Sequence, residues 1–244
     1  MLFGTADLDA LAAGAPRMDA LDTEPVELPG AWVLQAAFEM PVRVRECLLP
    51  PGLHPTDPPL LSWLVFRCAD GRLGSFTLAQ LRVSCRSGLR PRGFLIESVI
   101  DSPEAGRALA HRWGFRHRVG EIRIARQYDA VTATVLVDGG IIAEVALRDP
   151  DPLGPQDVQY TASMHLAHTP RGVRLVQVDP AYVVHRAERG RPALRAFQAA
   201  PWGDARLEPT HPVAASIALA DVTLPRLRYV CRPDVWAFEG TERV

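Results

Sequence analysis

A chain of 244 residues with 27 basic and 28 acidic side chains, 48% apolar residues and a net charge of −1 can bury a sizeable core as one globular unit. The near balance of charge gives no electrostatic reason to expect nucleic acid or a membrane surface as a partner, and no apolar run is long enough to span a bilayer. All 27 basic residues are arginine, so Schiff-base catalysis by a lysine amine is excluded.

Residues 1–30 are polar and weakly patterned and read as a partly ordered N-terminal arm, with a short helix near Asp7–Ala13. Its start lacks the basic and then apolar segments of a secretion signal, so the expected compartment is the cytoplasm. From Ala31 the texture changes, and residues 31–244 read as a single domain. "AWVLQAAFEM" is strand-like, and "PVRVRECLLPPGL" is a short helix ended by Pro50-Pro51-Gly52. Residues 60–86 read as two strands around Asp70-Gly71, and "GFLIESVIDS" as another. Ser102-Pro103-Glu104 starts a helix with a capping hydroxyl, a first-turn proline and an acid at the positive end of the dipole; Gly114 can end it. Residues 121–149 hold two or three strands with a hairpin turn at Asp138-Gly139-Gly140, and β pattern continues through 158–189 and 224–232. With 22 prolines and 18 glycines spread as punctuation, the fold class is β-rich (α+β), a closed barrel or sandwich carrying a few short helices. Cys47, Cys68, Cys85 and Cys231 form no CxxC pair and read as buried free thiols.

Four blocks carry a resemblance. They are "LPPGL" at 49–53, "GSFT" at 74–77, "GFRHRVG" at 114–120 and "ALADVTLPR" at 218–226. In these the chain resembles the acetoacetate decarboxylase-like superfamily over residues 31–235. The resemblance implies a closed β-barrel or cone with a central, mostly apolar cavity, in a chain that assembles as a homo-oligomer. It also implies an active site, and there the chain departs from the pattern. His117 and Arg118 stand where the decarboxylases have the nucleophilic lysine and the neighbour that lowers its pKa. Leu78, Trp63 and Ala31 stand where they have two acids and an arginine. Of these charged positions, only that of Arg118 keeps its sign.

A neutral imidazole moves protons near neutral pH, and an adjacent guanidinium can hold a carboxylate or an enolate. His117 and Arg118 therefore suit cofactor-independent proton transfer at carbon beside a carbonyl: isomerisation, dehydration, cyclisation or non-covalent decarboxylation. The expected partner is a small molecule with a carbonyl or enol group, of polyketide-like size, because Trp63 and Leu78 make the cavity greasier. Glu97 interrupts the apolar run "GFLIESVI" and could orient His117 or act as base; alternation leaves open which way it faces. Phe115, Arg116 and Trp113 join Trp63 and Leu78 as expected cavity residues. The alternatives are a non-catalytic member that binds a small hydrophobic ligand, and a protein whose cavity is filled by its own side chains. Arg116-His117-Arg118 also reads as a solvated basic turn at a helix end. His165 and His168, three apart on a strand, face opposite sides and suit no shared metal. His54, His111 and His211 read as surface positions, and Asp221 as a turn or strand-end hydrogen-bond acceptor. No phosphate loop, nucleotide fingerprint or nucleophile elbow is present.

Overall fold

Alternating apolar side chains with glycine and proline between them give fifteen strands among residues 3–244, the part of the chain that the computed structural model describes. In chain order the elements are α1 (Leu8–Ala13), β1 (Val26–Glu39), α2 (Val42–Leu48), β2 (His54–Pro55), β3 (Leu60–Cys68), β4 (Phe76–Ser87) and β5 (Arg90–Ile100). Then come α3 (Pro103–Trp113), β6 (Arg118–Val119), β7 (Glu121–Arg126), β8 (Ala130–Val137), β9 (Gly140–Leu153), β10 (Ser163–Thr169) and β11 (Gly172–Val178). The chain closes with β12 (Ala181–Phe197), β13 (Pro212–Leu224), β14 (Tyr229–Cys231), α4 (Ala237–Gly240) and β15 (Thr241–Arg243).

The strands form one sheet in the order β15-β14-β11-β10-β5-β4-β3-β1-β13-β12-β9-β8-β7. This hydrogen-bonded path is open at both ends. However, β6 pairs in parallel with β5, Val99 opposite Arg118, and only Gly120 separates β6 from β7. That short pairing folds the β7–β8–β9 end of the sheet back onto β5. The sheet thereby curls into a barrel whose inner face carries Leu34, Ala36, Trp63, Val65, Leu81, Ala133 and Val145. A second core lies on the opposite face of β3–β5, where Leu64, Phe66, Leu78 and Leu95 pack with Leu109 and Trp113 of α3 and with β11 and β14. This architecture is the β-rich cone with few helices that the sequence implies.

The local signals act as physics dictates. Ser102 Oγ accepts from the Ala105 amide at 3.3 Å to start α3, and Gly114 ends it in the left-handed region at φ 68°, its amide donating to Ala110 O. Asp138 (φ 51°) and Gly139 (φ 78°) make the two-residue β8–β9 turn. α1 falls where expected, capped by Asp7.

Three expectations change. β1 begins at Val26 rather than Ala31, because Gly30 (φ 58°) takes up an irregularity that lets pairing with β13 continue on both sides of it. His54 is buried rather than exposed, its ring 4.5 Å from that of Phe3 and 6.0 Å from that of Trp236. Cys47 is exposed on α2, whereas the other three thiols are buried. The arm is built into the fold by main-chain bonds, among them Gly4 N to Leu53 O and Met18 N to His168 O.

Gly114 is doubly constrained, since a Cβ there would also lie 2.9 Å from that of Ala167. Gly114→Ala is expected to lower the unfolding free energy by about 2–3 kcal/mol in a urea titration, from strain plus overpacking.

Candidate functional site

The block from Gly114 to Gly120 leaves α3, crosses the open end of the barrel and joins β5 through β6. Glu97 is the side chain it meets. Simple alternation from Phe94, which faces the inner core, would turn Glu97 to the other side. A bulge opposite Leu81 and Arg82 inserts Ile96 as an extra residue, so Leu81 and Glu97 stand opposite each other on the inner face. Trp63 pairs with Leu81 from the other side, and the three side chains form a row across β3, β4 and β5.

A carboxylate at 4% exposure needs partners. Glu97 has three donors: its own strand's Ser98 amide at 3.0 Å, Arg116 Nε at 3.2 Å and Arg118 Nη2 at 3.3 Å. The two guanidinium groups converge on one oxygen, Oε2, and each is about one-third exposed. Two positive charges face one negative charge, so the group as a whole is cationic. Arg118 Nε is buried with no protein partner among the described residues. Ser98 Oγ also donates to Arg116 O and so pins the loop's main chain to β5.

The sequence-derived candidates divide between the two faces. Glu97, Arg116, His117 and Arg118 line one cleft of about 300 Å³, walled on the arm side by Gly14 and Pro16. The His117 ring is half-buried and leans on α3: a Cβ at Gly106 would meet its Nε2 at 2.6 Å, and its Nδ1 is 3.4 Å from Phe115 O. It makes no hydrogen bond to Glu97 among the described residues. Leu78, Trp113 and Phe115 are buried in the α3 core, outside this cleft. Trp63 is fully buried on the inner face, edge-on to Phe38, Phe197 and Trp202 at centroid distances of 5.5, 5.5 and 6.4 Å. Those four rings fill the barrel at that level.

A second cavity of about 250 Å³ lies on the other side of Arg116. Its walls are mixed: Ala10 and Leu11 of the arm and Phe94 and Ile96 of β5 are apolar, and Asp7, Asp204 and Arg206 are charged. The Arg116 guanidinium passes directly over Gly14, where a Cβ would approach Nη2 to 2.8 Å. His165, which also lines this cavity, was not singled out by sequence reasoning as a site residue. Its Nδ1 lies 2.8 Å from Trp113 O; a carbonyl only accepts, so Nδ1 carries the proton and Nε2 keeps a lone pair without a protein partner. Nothing in "HLAH" distinguishes it from a core histidine, because its burial depends on β10 pairing with β5, a contact between segments about seventy residues apart. Asp221 acts as a strand-end acceptor, taking the Gly30 amide at 2.8 Å and facing His185 Nε2 at 2.9 Å. The amide first and His185 second hold its carboxyl below the usual range.

Comparison with known proteins bears on this geometry. The family model for acetoacetate decarboxylase matches residues 15–233. The acetoacetate decarboxylase of Legionella pneumophila superposes with a TM-score of 0.74 at 19% identity, covering 88% of each chain. The enduracididine biosynthesis enzyme MppR in complex with pyruvate gives 0.69 at 16% identity, over 84% of this chain and 89% of that one. An acetoacetate decarboxylase-like enzyme from Sphingomonas wittichii RW1 gives 0.65 at 17%, over 83% and 91%. Among curated protein sequences, none matches.

Burial pushes the His165 imidazole down to about 3, from an ordinary value of 6.5. The unfolded chain therefore binds a proton at this site between about pH 6.5 and 3 that the folded chain does not, and the folded state loses stability as pH falls through that window. Replacement by Asn, which can still donate to Trp113 O, is expected to flatten the dependence of unfolding free energy on pH between about 6.5 and 4. Urea titrations of both proteins at stepped pH measure it.

Proposed function

The chain belongs to the acetoacetate decarboxylase family, and from that premise we propose that it is a cofactor-independent enzyme acting by acid/base chemistry on a keto or enol compound. The observation that carries the reading is the convergence of Arg116 and Arg118 on the buried carboxylate of Glu97, at the wall of a cleft large enough for a small metabolite. The decarboxylases and MppR are enzymes of the same fold, and MppR was captured with pyruvate, a small keto acid. A chain without lysine cannot form the lysine Schiff base, so a different electron sink has to stabilise an enolate.

The cationic pair supplies one. Arg118, with its unpartnered Nε–H, holds the developing enolate oxygen or a substrate carboxylate, while Arg116 balances Glu97. Glu97 fixes the direction of both guanidinium groups and is a positioning residue. His117, on the wall of the same cleft, takes a proton from the carbon beside the carbonyl and returns it to carbon or oxygen. No covalent intermediate forms. The reaction type is one of isomerisation, dehydration, cyclisation or loss of carbon dioxide from a β-keto acid, and the apolar part of the cavity beyond Arg116 takes the substrate's hydrocarbon part.

The apolar part of that cavity, formed by Ala10, Leu11, Phe94 and Ile96, favours a second reading, a non-catalytic protein that binds a small hydrophobic ligand. Incubation with a panel of β-keto acids and cyclic enones, read by NMR of the small molecules, separates the two: an enzyme alters a compound, a carrier returns it unchanged.

For a substrate so found, Arg118→Ala is expected to reduce kcat/KM by about 10²–10³-fold, and His117→Gln to reduce kcat by about 10²-fold or more. Borohydride added during turnover should leave the protein mass unaltered. A trapped substrate adduct, or full activity of His117→Gln, would overturn the mechanism.

A further inference from the structure

We infer that a cavity on the outer face of β3 and β4, bordered by Arg82 and Ser84, is a binding site for a small carboxylate, separate from the Glu97 cleft. Arg82 sits opposite Leu95, which belongs to the α3 core, whereas the preceding Leu81 faces the barrel interior beside Glu97. The sheet therefore stands between the two places.

Arg82 is 6% exposed and borders a cavity of about 110 Å³ together with Gln35, Ser62 and Ser84. No acidic residue lines it. The neighbouring Arg92, opposite Cys85 of the inner core, turns its side chain to the other face and pairs with Asp179 at 3.1 Å. Arg82 has no carboxylate partner among the described residues. Its Nη1 donates to Thr161 O at 3.2 Å and its Nη2 to Gln80 Oε1, both neutral acceptors. Burial draws its pKa down only to about 10, so the guanidinium stays charged at neutral pH. The neighbouring Tyr182 offers no counter-charge, because its phenol is pushed up to about 12. A buried charge without a partner is among the more destabilising features a fold can carry, and an anion from solution relieves it.

The donors for such an anion are in place. The Nε atom of Arg82 is buried and has no partner among the described residues. Ser84 Oγ already accepts from Thr56 Oγ1 at 2.8 Å and the Leu60 amide at 2.9 Å, which leaves its own proton free to donate. These are hydrogen-bond donors around a space that fits a few heavy atoms, which selects an oxyanion of the size of formate or acetate over a larger organic acid. Waters could fill the space but would not neutralise Arg82.

The test needs no enzymatic activity, so it stands or falls apart from the reading of the Glu97 cleft. The thermal midpoint of the full chain is followed while sodium gluconate, too bulky for the cavity, is exchanged for sodium acetate at constant sodium. A saturable rise of about 3 °C or more is expected. Arg82→Met should abolish it by removing the charge. Ser62→Phe should abolish it by filling the space while keeping Arg82, and so serves if the first variant does not fold. No rise in the wild type, or an equal rise in a folded variant, would overturn the site. So would a second copy's carboxylate found seated on Arg82 in the assembled protein.

Discussion

Everything at the open end of the barrel is arranged around one buried carboxylate. Glu97 cannot sit on an apolar inner wall without donors, and the sheet offers it only the amide of Ser98. The remaining donors come from a loop 19 to 21 residues further along the chain. The need to satisfy that charge draws Arg116 and Arg118 inward, and the pairing of Arg118 with Val99 brings the β7 end of the sheet with it. Barrel closure and the placement of the cationic pair are thus two outcomes of one contact. The dependence is one-sided: removing Glu97 would leave two guanidinium groups without a counter-charge, whereas removing one arginine leaves a balanced pair. A cationic cluster kept at a cleft under those terms is more readily explained by what it binds than by what it stabilises.

The two faces of the sheet have been given different tasks. The inner face at the level of Trp63 is closed by four aromatic rings at near right angles, a geometry that fills volume without leaving polar atoms to satisfy apart from indole nitrogens. Two spaces for a ligand lie between β5 and the N-terminal arm. The family's fold is retained, with these spaces beside the arm. This agrees with a chain in which the resemblance lies in the loops and strand ends and the departures lie at the charged positions.

Most of the fold was legible because its signals are local. The hydroxyl cap and glycine stop of α3, the positive-φ pair at Asp138-Gly139 and the Asp70-Gly71 break between β3 and β4 each depend on a few adjacent residues. Glu97 was not legible in the same way. Counting outward from Phe94 and counting back from Val99 give opposite faces, and only the extra Ile96 of the bulge, a feature of pairing with another strand, resolves them. Arg116 was expected as a lining residue and turns out to share the carboxylate equally with Arg118, while His117 turns its ring to the space left by Gly106. His165 and Arg82 carried no sequence signal as site residues, since an isolated histidine or arginine in a strand is usually exposed. Their burial is set by which strands become neighbours. The arm shows the same limit: its helix was readable from Asp7, but its role as a wall was not.

Arg116 lines two spaces, one on each side of its side chain. One is the cleft with Glu97 and Arg118 and the other is the second cavity, and both are bounded by the same arm. The side chain between them is a rotatable group resting on Gly14. Rotamer changes of a partly exposed arginine occur in nanoseconds, far faster than strands rearrange. The boundary of each space is accordingly set in part by one side chain, so its shape can change without any change of main chain.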